Sequence, residues 1–442
     1  MRIGAVFRRI FYSSKPLTDK DYQASRTCSI FEGGSARTIF NLTSGAFLAG
    51  FASYLGAGDS FNGIIGAIPV LAGIIQLISP IVFEKMEKRK LTVSVLSLIH
   101  RLLLGLMVFI PFLVSGRIER LALVAAVYFI AYLAVSFINP AASGWLIDLI
   151  PDNIRGRYFG IRESYVLGAA TVFTLIMGRV LDVYKENGNE YGGFIVMFSF
   201  VLVLALGNFT VWLLMKEPPV KRNKSELNLK KIATIPLKDK RFRKIVLLFI
   251  FWNIGVQIGG PFFSVYMVTG LKLNYTFIMV VGMLGTLVNT LVVRLWGRLA
   301  DRKSWVYVIK LSILMLSVTH TIWFFINSST AYILVPLMHI AGGLSWAGIG
   351  ISSFNIQFTY SPEEGRTVYI GFNAALSGLI GFLSTLLGSA VLIFLDSFKL
   401  NISGFTIGSM QIVFAISGVL LAICAAYIHL FIKPESESKG VP

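Results

Sequence analysis

Charged residues are scarce in this chain, and acidic ones are the scarcer kind. Only 14% of the 442 residues are Asp, Glu, Lys or Arg, whereas an ordinary soluble domain has about 25%. Hydrophobic residues make up 55%, and the mean hydropathy is +0.74. A soluble fold cannot bury that much apolar surface. The composition therefore excludes a soluble enzyme, a disordered protein and a disulfide scaffold.

Cysteine and histidine are also rare. Cys28 and Cys424 lie at opposite ends of the chain, and the four histidines lack the spacing of metal ligands. There is no Walker loop and no other constellation of reactive side chains. We therefore expect no enzyme activity, no catalytic residue, no metal site and no cofactor.

What the sequence does contain is long apolar runs. A membrane-crossing helix needs about 20 mostly apolar residues. Twelve segments meet that need: 36–56, 61–83, 92–114, 121–146, 162–183, 194–215, 245–268, 275–296, 305–327, 331–358, 367–395 and 405–432. Their continuity excludes the alternating strands of a membrane barrel. The sequence predicts an all-α membrane protein with twelve transmembrane helices in a lipid bilayer.

The basic residues predict the orientation of these helices. The net charge is +18, and most of the 40 lysines and arginines fall on one side of the membrane. By the positive-inside rule that side is the cytoplasm, so we expect both termini there, in a cell-membrane protein that binds no nucleic acid. Residues 1–35 form a cytoplasmic segment, read either as an interfacial helix or as a basic tail, and 433–442 form a cytoplasmic tail.

A basic linker, 216–244, falls midway along the chain, and the sequences on its two sides resemble each other. PDNIRGRYFG at 151–160 aligns with PEEGRTVYIG at 362–371, with proline, arginine, tyrosine and glycine at matching positions. This pattern predicts an internal duplication. We expect two pseudo-symmetric six-helix bundles, 36–215 and 245–432, as in transporters that are built from parallel repeats.

One loop resembles a known family signature. GRLADRKS at 297–304 is similar to the cytoplasmic loop motif of the major facilitator superfamily, with Asp301 and Arg302 in place and a serine for the last glycine. The first-half copy, FEKMEKRK at 83–90, keeps only Glu87 and basic residues. The resemblance implies the fold of that superfamily and a monomeric secondary transporter. It would move a small solute, with or without a coupling ion, by alternating access around a central site between the bundles.

The resemblance also implies a cytoplasmic gate, in which a loop acid bonds to a helix start in the opposite half. Asp301 is expected near the start of the fifth span, and Glu87 near the start of the eleventh. The candidate gate residues are Gly297, Asp301, Arg302, Glu87, Arg155, Arg157, Arg162 and Arg366. The alternative is that these charges are solvated and only set the topology.

Spans 1, 4, 7 and 10 line the central cavity in this family, and here they carry polar and aromatic side chains. The candidate cavity residues are Asn41, Tyr128, Tyr132, Asn139, Trp252, Asn253, Gln257, His339, Trp346 and Asn355. Neutral amides with aromatics suit a hydroxylated or weakly charged solute, although the same residues also bond helices together. We expect no carboxylate near the middle of these spans, which leaves facilitated diffusion or coupling through a histidine.

Arg101 is the most deeply placed charge. It lies well inside the third span, too deep to reach the interface easily. We expect it to form a structural or substrate-facing ion pair, with snorkelling as the alternative. The sequence does not identify its partner.

Two other functions share these features. A membrane receptor or scaffold would keep the spans but lose the paired loops. A lipid flippase would need a headgroup-sized path that opens to the bilayer.

Overall fold

The structure is a computed structural model of the chain. It describes residues 11–12, 16–83, 85–219, 229–362, 366–396, 398, 400–402 and 405–433.

The described chain is almost entirely helical. The first half contains α1 (Asp19–Leu42), α2 (Gly45–Tyr54), α3 (Asp59–Ala72), α4 (Ser79–Phe83), α5 (Lys90–Leu106), α6 (Ile110–Leu113), α7 (Arg117–Asp148), α8 (Arg155–Glu186) and α9 (Glu190–Leu214). The second half contains α10 (Leu229–Lys238), α11 (Lys240–Val265), α12 (Tyr275–Arg302), α13 (Trp305–Trp323), α14 (Ala331–Tyr360), α15 (Arg366–Phe394), the antiparallel hairpin of β1 (Leu400–Ile402) and β2 (Phe405–Ile407), and α16 (Ser409–Phe431). Shorter 3-10 turns lie at Gly73–Leu77, Met107–Phe109 and Asp152–Ile154, and a π-helical turn at Tyr266–Gly270.

Eleven of the described helical segments are long and apolar enough to cross a membrane, close to the twelve that the sequence predicts. The first expected span corresponds to two helices, α1 and α2, with a break at Thr43 and Ser44. Gly45 follows the break with φ +55°, a backbone conformation that glycine adopts without steric cost. Because α2 has only 10 residues, it is too short to span a bilayer by itself.

The helix α1 begins well before residue 36, the expected start of the first span. Thr18 and Asp21 form a capping box: Asp21 N donates to Thr18 Oγ1 at 3.3 Å, and Thr18 N donates to Asp21 Oδ2 at 2.9 Å. The bonds from the Thr18 backbone and hydroxyl lower the pKa of the Asp21 carboxyl. These bonds fix the start of α1 at Asp19.

The described residues group into two units. The first comprises those within Met1–Ala57 and Ala72–Glu226, and the second those within Gly58–Leu71 and Leu227–Pro442. All of the helix α3 except its last residue, Ala72, therefore belongs to the second unit, although in sequence it falls within the first of the two expected bundles.

The packing inside one unit repeats inside the other. In the first unit α1 packs on α8 and α9, and α5 packs on α7 and α9. In the second unit α11 packs on α15 and α16, and α13 packs on α14 and α16. When the helices are counted by their order among the six membrane spans of each half, the four pairs in the first unit correspond to the four pairs in the second. Repeated packing of this kind is what a duplicated six-helix sequence produces.

Aromatic side chains fill the interior of both units. In the first, the rings of Trp145 and Trp212 lie 5.0 Å apart within a buried cluster. In the second, Phe263 stacks on Phe414 with centroids 4.3 Å apart. Such contacts anchor neighbouring helices more firmly than their buried area alone would.

Candidate functional site

Three charged side chains meet inside the first unit. We call Glu32, Arg101 and Arg162 the ionic centre. Arg101 Nη2, on α5, lies 3.1 Å from Glu32 Oε1, and Arg162 Nη2, on α8, lies 3.4 Å from Glu32 Oε2. None of the three side chains is more than 15% exposed. The structure thus places Arg101, for which the sequence predicts an ion pair, against Glu32 on α1.

The depth of this cluster makes the pairing obligatory. Arg101 lies eleven residues after Lys90, the first residue of α5. At 1.5 Å per residue it is about 16 Å along the helix. A single charge at that depth would be left without water or a counter-ion. The counter-charge of Arg101 is therefore Glu32, a residue that the expected boundary at residue 36 placed outside the first span.

Backbone and hydroxyl oxygens complete the coordination of both arginines. Arg101 Nη1 donates to the Ser97 carbonyl at 3.1 Å and to the Ser97 hydroxyl. Arg162 Nε donates to the Ser29 carbonyl at 3.2 Å. Each guanidinium thus donates both to the Glu32 carboxylate and to neutral oxygens of a serine, and forked donors of this kind fix its orientation.

Three further hydrogen bonds tie the neighbouring helices to α1. Asn208 Nδ2, on α9, donates to the Glu32 carbonyl at 3.0 Å and to Ser35 Oγ at 2.7 Å. The Tyr158 hydroxyl, on α8, donates to the Arg26 carbonyl at 2.7 Å. The ionic centre and these bonds together connect α1, α5, α8 and α9.

Because Gly33 has no side chain, the Arg162 side chain has room to pack against α1. A Cβ added at residue 33 would lie 2.8 Å from Arg162 Cζ and 2.8 Å from Val166 Cγ2, closer than real Cβ atoms come. The missing side chain lets the guanidinium lie on the α1 backbone beside Glu32. Small residues serve this purpose between membrane helices.

The residue before Arg101 links α5 to α7. His100 Nδ1 lies 2.9 Å from the Ala131 carbonyl oxygen, and the imidazole meets the ring of Tyr132 edge-on at 5.2 Å. Tyr132 in turn contacts the Tyr128 ring at 4.7 Å, and the Tyr128 hydroxyl donates to the Thr43 carbonyl at 3.2 Å. Both tyrosines are buried, so they bond the helices of the first unit to one another.

A second charged cluster, which we call the helix-end clamp, consists of Arg89, Lys90, Asp148 and Glu217. The Glu217 carboxylate accepts from the backbone N–H groups of Arg89 at 2.8 Å and Lys90 at 3.3 Å, at the start of α5. A carboxylate at a helix N-terminus is stabilised by the free N–H groups and by the helix dipole. Arg89 Nη2 lies 2.7 Å from Asp148 Oδ2, at the end of α7.

The lysine of the clamp closes the end of α9. Lys90 Nζ donates to the carbonyls of Leu213 and Met215, both at 2.7 Å. Trp145 Nε1 donates to the Lys216 carbonyl at 2.9 Å. The first residues of the expected linker are thus attached to the first unit. Sequence reasoning missed this because it treated Glu217 and Lys90 as loop charges.

Five of the candidate gate residues lie at or near the ends of helices. Asp301 and Arg302 are exposed in the last turn of α12, and Gly297 lies one turn earlier. Glu87 is exposed before α5, and Arg157 is exposed at the start of α8.

The remaining gate candidates are arginines. Arg155 Nη2, at the start of α8, donates to the Ile150 carbonyl at 3.3 Å. Arg162, another gate candidate, contacts Glu32 in the ionic centre. The side chain of Arg366 lies outside the described residues.

Two candidate cavity residues of the first unit, Asn41 and Asn139, lie in different environments. Asn41 Nδ2, on α1, donates to Thr174 Oγ1 of α8 at 3.4 Å. Asn139, on α7, is exposed. The structure therefore places Asn41 between helices and leaves Asn139 accessible.

In the second unit the structure brings two candidate aromatics together. Trp252 on α11 and Trp346 on α14 meet edge-to-face, with ring centroids 5.4 Å apart. Trp252 is 8% exposed and Trp346 is 45% exposed, so the pair has one buried member and one accessible member.

The amide candidates lie close to this pair in sequence. Asn253 is buried and Gln257, one turn along α11, is half-buried. Both approach Gly381 of α15, where an added Cβ would lie 3.2 Å from Gln257 Cγ and 3.6 Å from Asn253 Oδ1. Asn253 Nδ2 donates to the Phe249 carbonyl at 2.7 Å. Its Oδ1 and the amide of Gln257 are the acceptor and donor groups on this side of α11.

Two candidates on α14 bond within their own helix. Asn355 Nδ2 donates to the Ile351 carbonyl at 2.7 Å, and His339 Nδ1 lies 2.9 Å from the Val335 carbonyl oxygen. Among the described residues, no group of three His, Cys, Asp or Glu side chains is arranged to hold a metal ion.

Comparison with known proteins identifies related sequences and folds. The family model of the major facilitator superfamily matches residues 33–385. The crystal structure of the nucleoside transporter NupG is similar with a TM-score of 0.65 and 14% identity, over 93% of this chain and 99% of that one. A D-xylose–proton symporter gives a TM-score of 0.67 at 12% identity, over 93% and 97%. The xylose transporter XylE from E. coli, in an inward-open conformation, gives 0.65 at 12%, over 93% and 96%. No curated protein sequence matches significantly.

Proposed function

The chain belongs to the major facilitator superfamily, and on that premise we propose that it is a secondary transporter that moves a small, neutral, hydroxylated solute by alternating access. Both termini lie in the cytoplasm in this proposal, because that orientation puts most of the basic residues inside. Neither the family match nor the structural likenesses point to a receptor or a lipid flippase.

The observation that carries the solute class is the pairing of Trp252 with Trp346 beside neutral amides. An accessible indole face packs well against the C–H face of a sugar ring or against a base. Asn253 and Gln257 supply hydrogen-bond groups without charge. No described lysine, arginine or carboxylate is among the candidates on α11 and α14, which argues for a neutral solute.

Two of the structurally similar proteins carry solutes of this class, since one is named a nucleoside transporter and the other a D-xylose–proton symporter. At 12–14% identity the likeness concerns the fold, so nucleosides and pentoses enter as the first compounds to test.

The test is uptake of radiolabelled nucleosides and pentoses into proteoliposomes, with and without an imposed pH gradient. Trp346→Ala should raise KM at least tenfold, because it removes the accessible ring that contacts the solute. Phe354→Ala is the matched control: Phe354 lies on the same helix and is 58% exposed, and its removal should change KM less than about twofold.

Unchanged KM in Trp346→Ala would move the solute site away from α14. Transport restricted to charged solutes would overturn the proposed class. Absence of any solute flux, with rapid movement of fluorescent phospholipid in the same vesicles, would favour the flippase alternative.

A further inference from the structure

A groove of about 410 Å³ opens on the second unit, between the start of α13 and the end of α16. On α13 it is lined by Tyr307, Lys310 and Leu314, and on α16 by Ala422, Ala426 and His429. It is separate from the tryptophan pair and the amides of the proposed solute site. The alanines on α16 have small side chains, so they leave open the space that larger side chains would fill.

The groove has a cationic end and an apolar end. Lys310 lies one turn and a half into α13, yet its Nζ is 5.4 Å from the centroid of the Tyr307 ring, nearer the helix start. The lysine therefore turns back towards the interface, as long basic side chains at membrane depth do. His429, near the end of α16, lines the same end of the groove.

The apolar end continues along the surface of both helices. Leu314 and Val318 on α13 are exposed one turn apart, and so are Val419 and Ile423 on α16. At this depth such residues face hydrocarbon. An occupant that enters the groove meets the Lys310 ammonium and the His429 imidazole first and an apolar track beyond them.

Lys310 is available to a ligand, since it makes no ion pair with any residue in the described parts of the chain. Its nearest recorded partner is the aromatic face of Tyr307. A phosphate oxygen is a much stronger partner for an ammonium group than a ring face is.

We propose that this groove binds one anionic phospholipid, with its phosphate between Lys310 and His429 and one acyl chain along Ala422 and Ala426. Charge and shape select this occupant together: the Lys310 ammonium and the His429 ring nitrogens match the phosphate, and the alanine floor leaves room for a hydrocarbon chain. In the proposed orientation the site faces the cytoplasmic leaflet, which holds the anionic lipids of a cell membrane.

Native mass spectrometry of the full chain in a neutral detergent tests the proposal without reference to transport or orientation. Phosphatidylglycerol and phosphatidylcholine with identical acyl chains are titrated in separate experiments. The expected result is one phosphatidylglycerol adduct that forms at least tenfold more tightly than the first phosphatidylcholine adduct. Equal affinity for the two lipids would overturn the proposal.

Variants locate the adduct. Lys310→Gln and Ala426→Phe should each weaken the phosphatidylglycerol adduct about tenfold, the first by removing the cation and the second by filling the apolar track. Arg294→Gln, at an exposed arginine of α12 outside the groove, should leave it unchanged. Equal losses in all three variants, or none in Lys310→Gln, would refute the site.

Glycerol phosphate separates a lipid from a free anion. If it displaces the adduct at equal concentration, or if Ala426→Phe binds phosphatidylglycerol normally, the groove recognises a soluble phosphate and the lipid assignment fails. Thermal melting of each variant confirms folding, and Lys310→Gln alone decides the matter if Ala426→Phe does not fold.

Discussion

Removing the single carboxylate of the ionic centre should destabilise the first unit strongly. Glu32→Gln keeps the size of the side chain but leaves Arg101 and Arg162, 6% and 14% exposed, without a counter-charge. Breaking a buried ion pair by removing one partner costs about 3–5 kcal/mol. For a folding unit of about 200 residues this lowers Tm by on the order of 10 °C.

The geometry also predicts which variants lose more stability than others. Arg101→Leu should cost less than Glu32→Gln, because Glu32 keeps Arg162 at 3.4 Å. The double variant Glu32→Gln/Arg101→Leu should lose less stability than the sum of the two single losses, because residues in one ion-pair network are coupled. The coupling measures what the pair contributes apart from packing.

An exposed ion pair on α8 supplies the control. Arg179 and Glu186 are 3.7 Å apart, with side chains 63% and 60% exposed. Arg179→Leu and Glu186→Gln remove the same chemical groups, and exposed pairs of this kind contribute about 0–1 kcal/mol.

The measurement is thermal unfolding of purified protein in a neutral detergent, followed by thiol-reactive dye or intrinsic fluorescence. If Glu32→Gln melts within about 2 °C of Glu186→Gln, the buried arginines have found water or other partners. The argument from an uncompensated charge would then be refuted.

Two further predictions concern topology and gating. A cysteine at Ser329, which is exposed between α13 and α14, should react with an impermeant reagent from outside intact cells, whereas one within 221–231 should not; external labelling of the latter would reverse the orientation. Asp301→Asn, in the last turn of α12, should slow turnover and shift the distances between spin labels on the cytoplasmic helix ends, since a loss of about 1.4 kcal/mol changes a state ratio tenfold. Unchanged distances with normal turnover would make Asp301 a solvated charge.

The sequence predicts the spans well because apolar length is a local property. Each of the eleven membrane-crossing helices overlaps an expected segment, and Arg101 is recognised as needing a partner because its depth alone demands one. The partner of Arg101 could not be predicted in this way, because no local feature of the sequence indicates which carboxylate reaches Arg101.

Glu32 was missed because the first turns of α1 are polar and read as a cytoplasmic segment. Two signals could have extended the helix. Thr18 and Asp21 have the spacing of a capping box, and Ser25, Ser29 and Gly33 recur every four residues, which is a buried face of small side chains. The Trp252–Trp346 contact likewise depends on how α11 and α14 pack, which is a tertiary property.

The order of the ionic centre along the chain bears on biosynthesis. A lone arginine at the middle of a nascent transmembrane helix resists insertion by about 2.5–3.5 kcal/mol. Glu32 on α1 has already been synthesised when Arg101 on α5 reaches the membrane, and both precede Arg162 on α8. Each of these two arginines is thus synthesised after its acidic partner, so Glu32 is already in place when Arg101 and Arg162 are inserted.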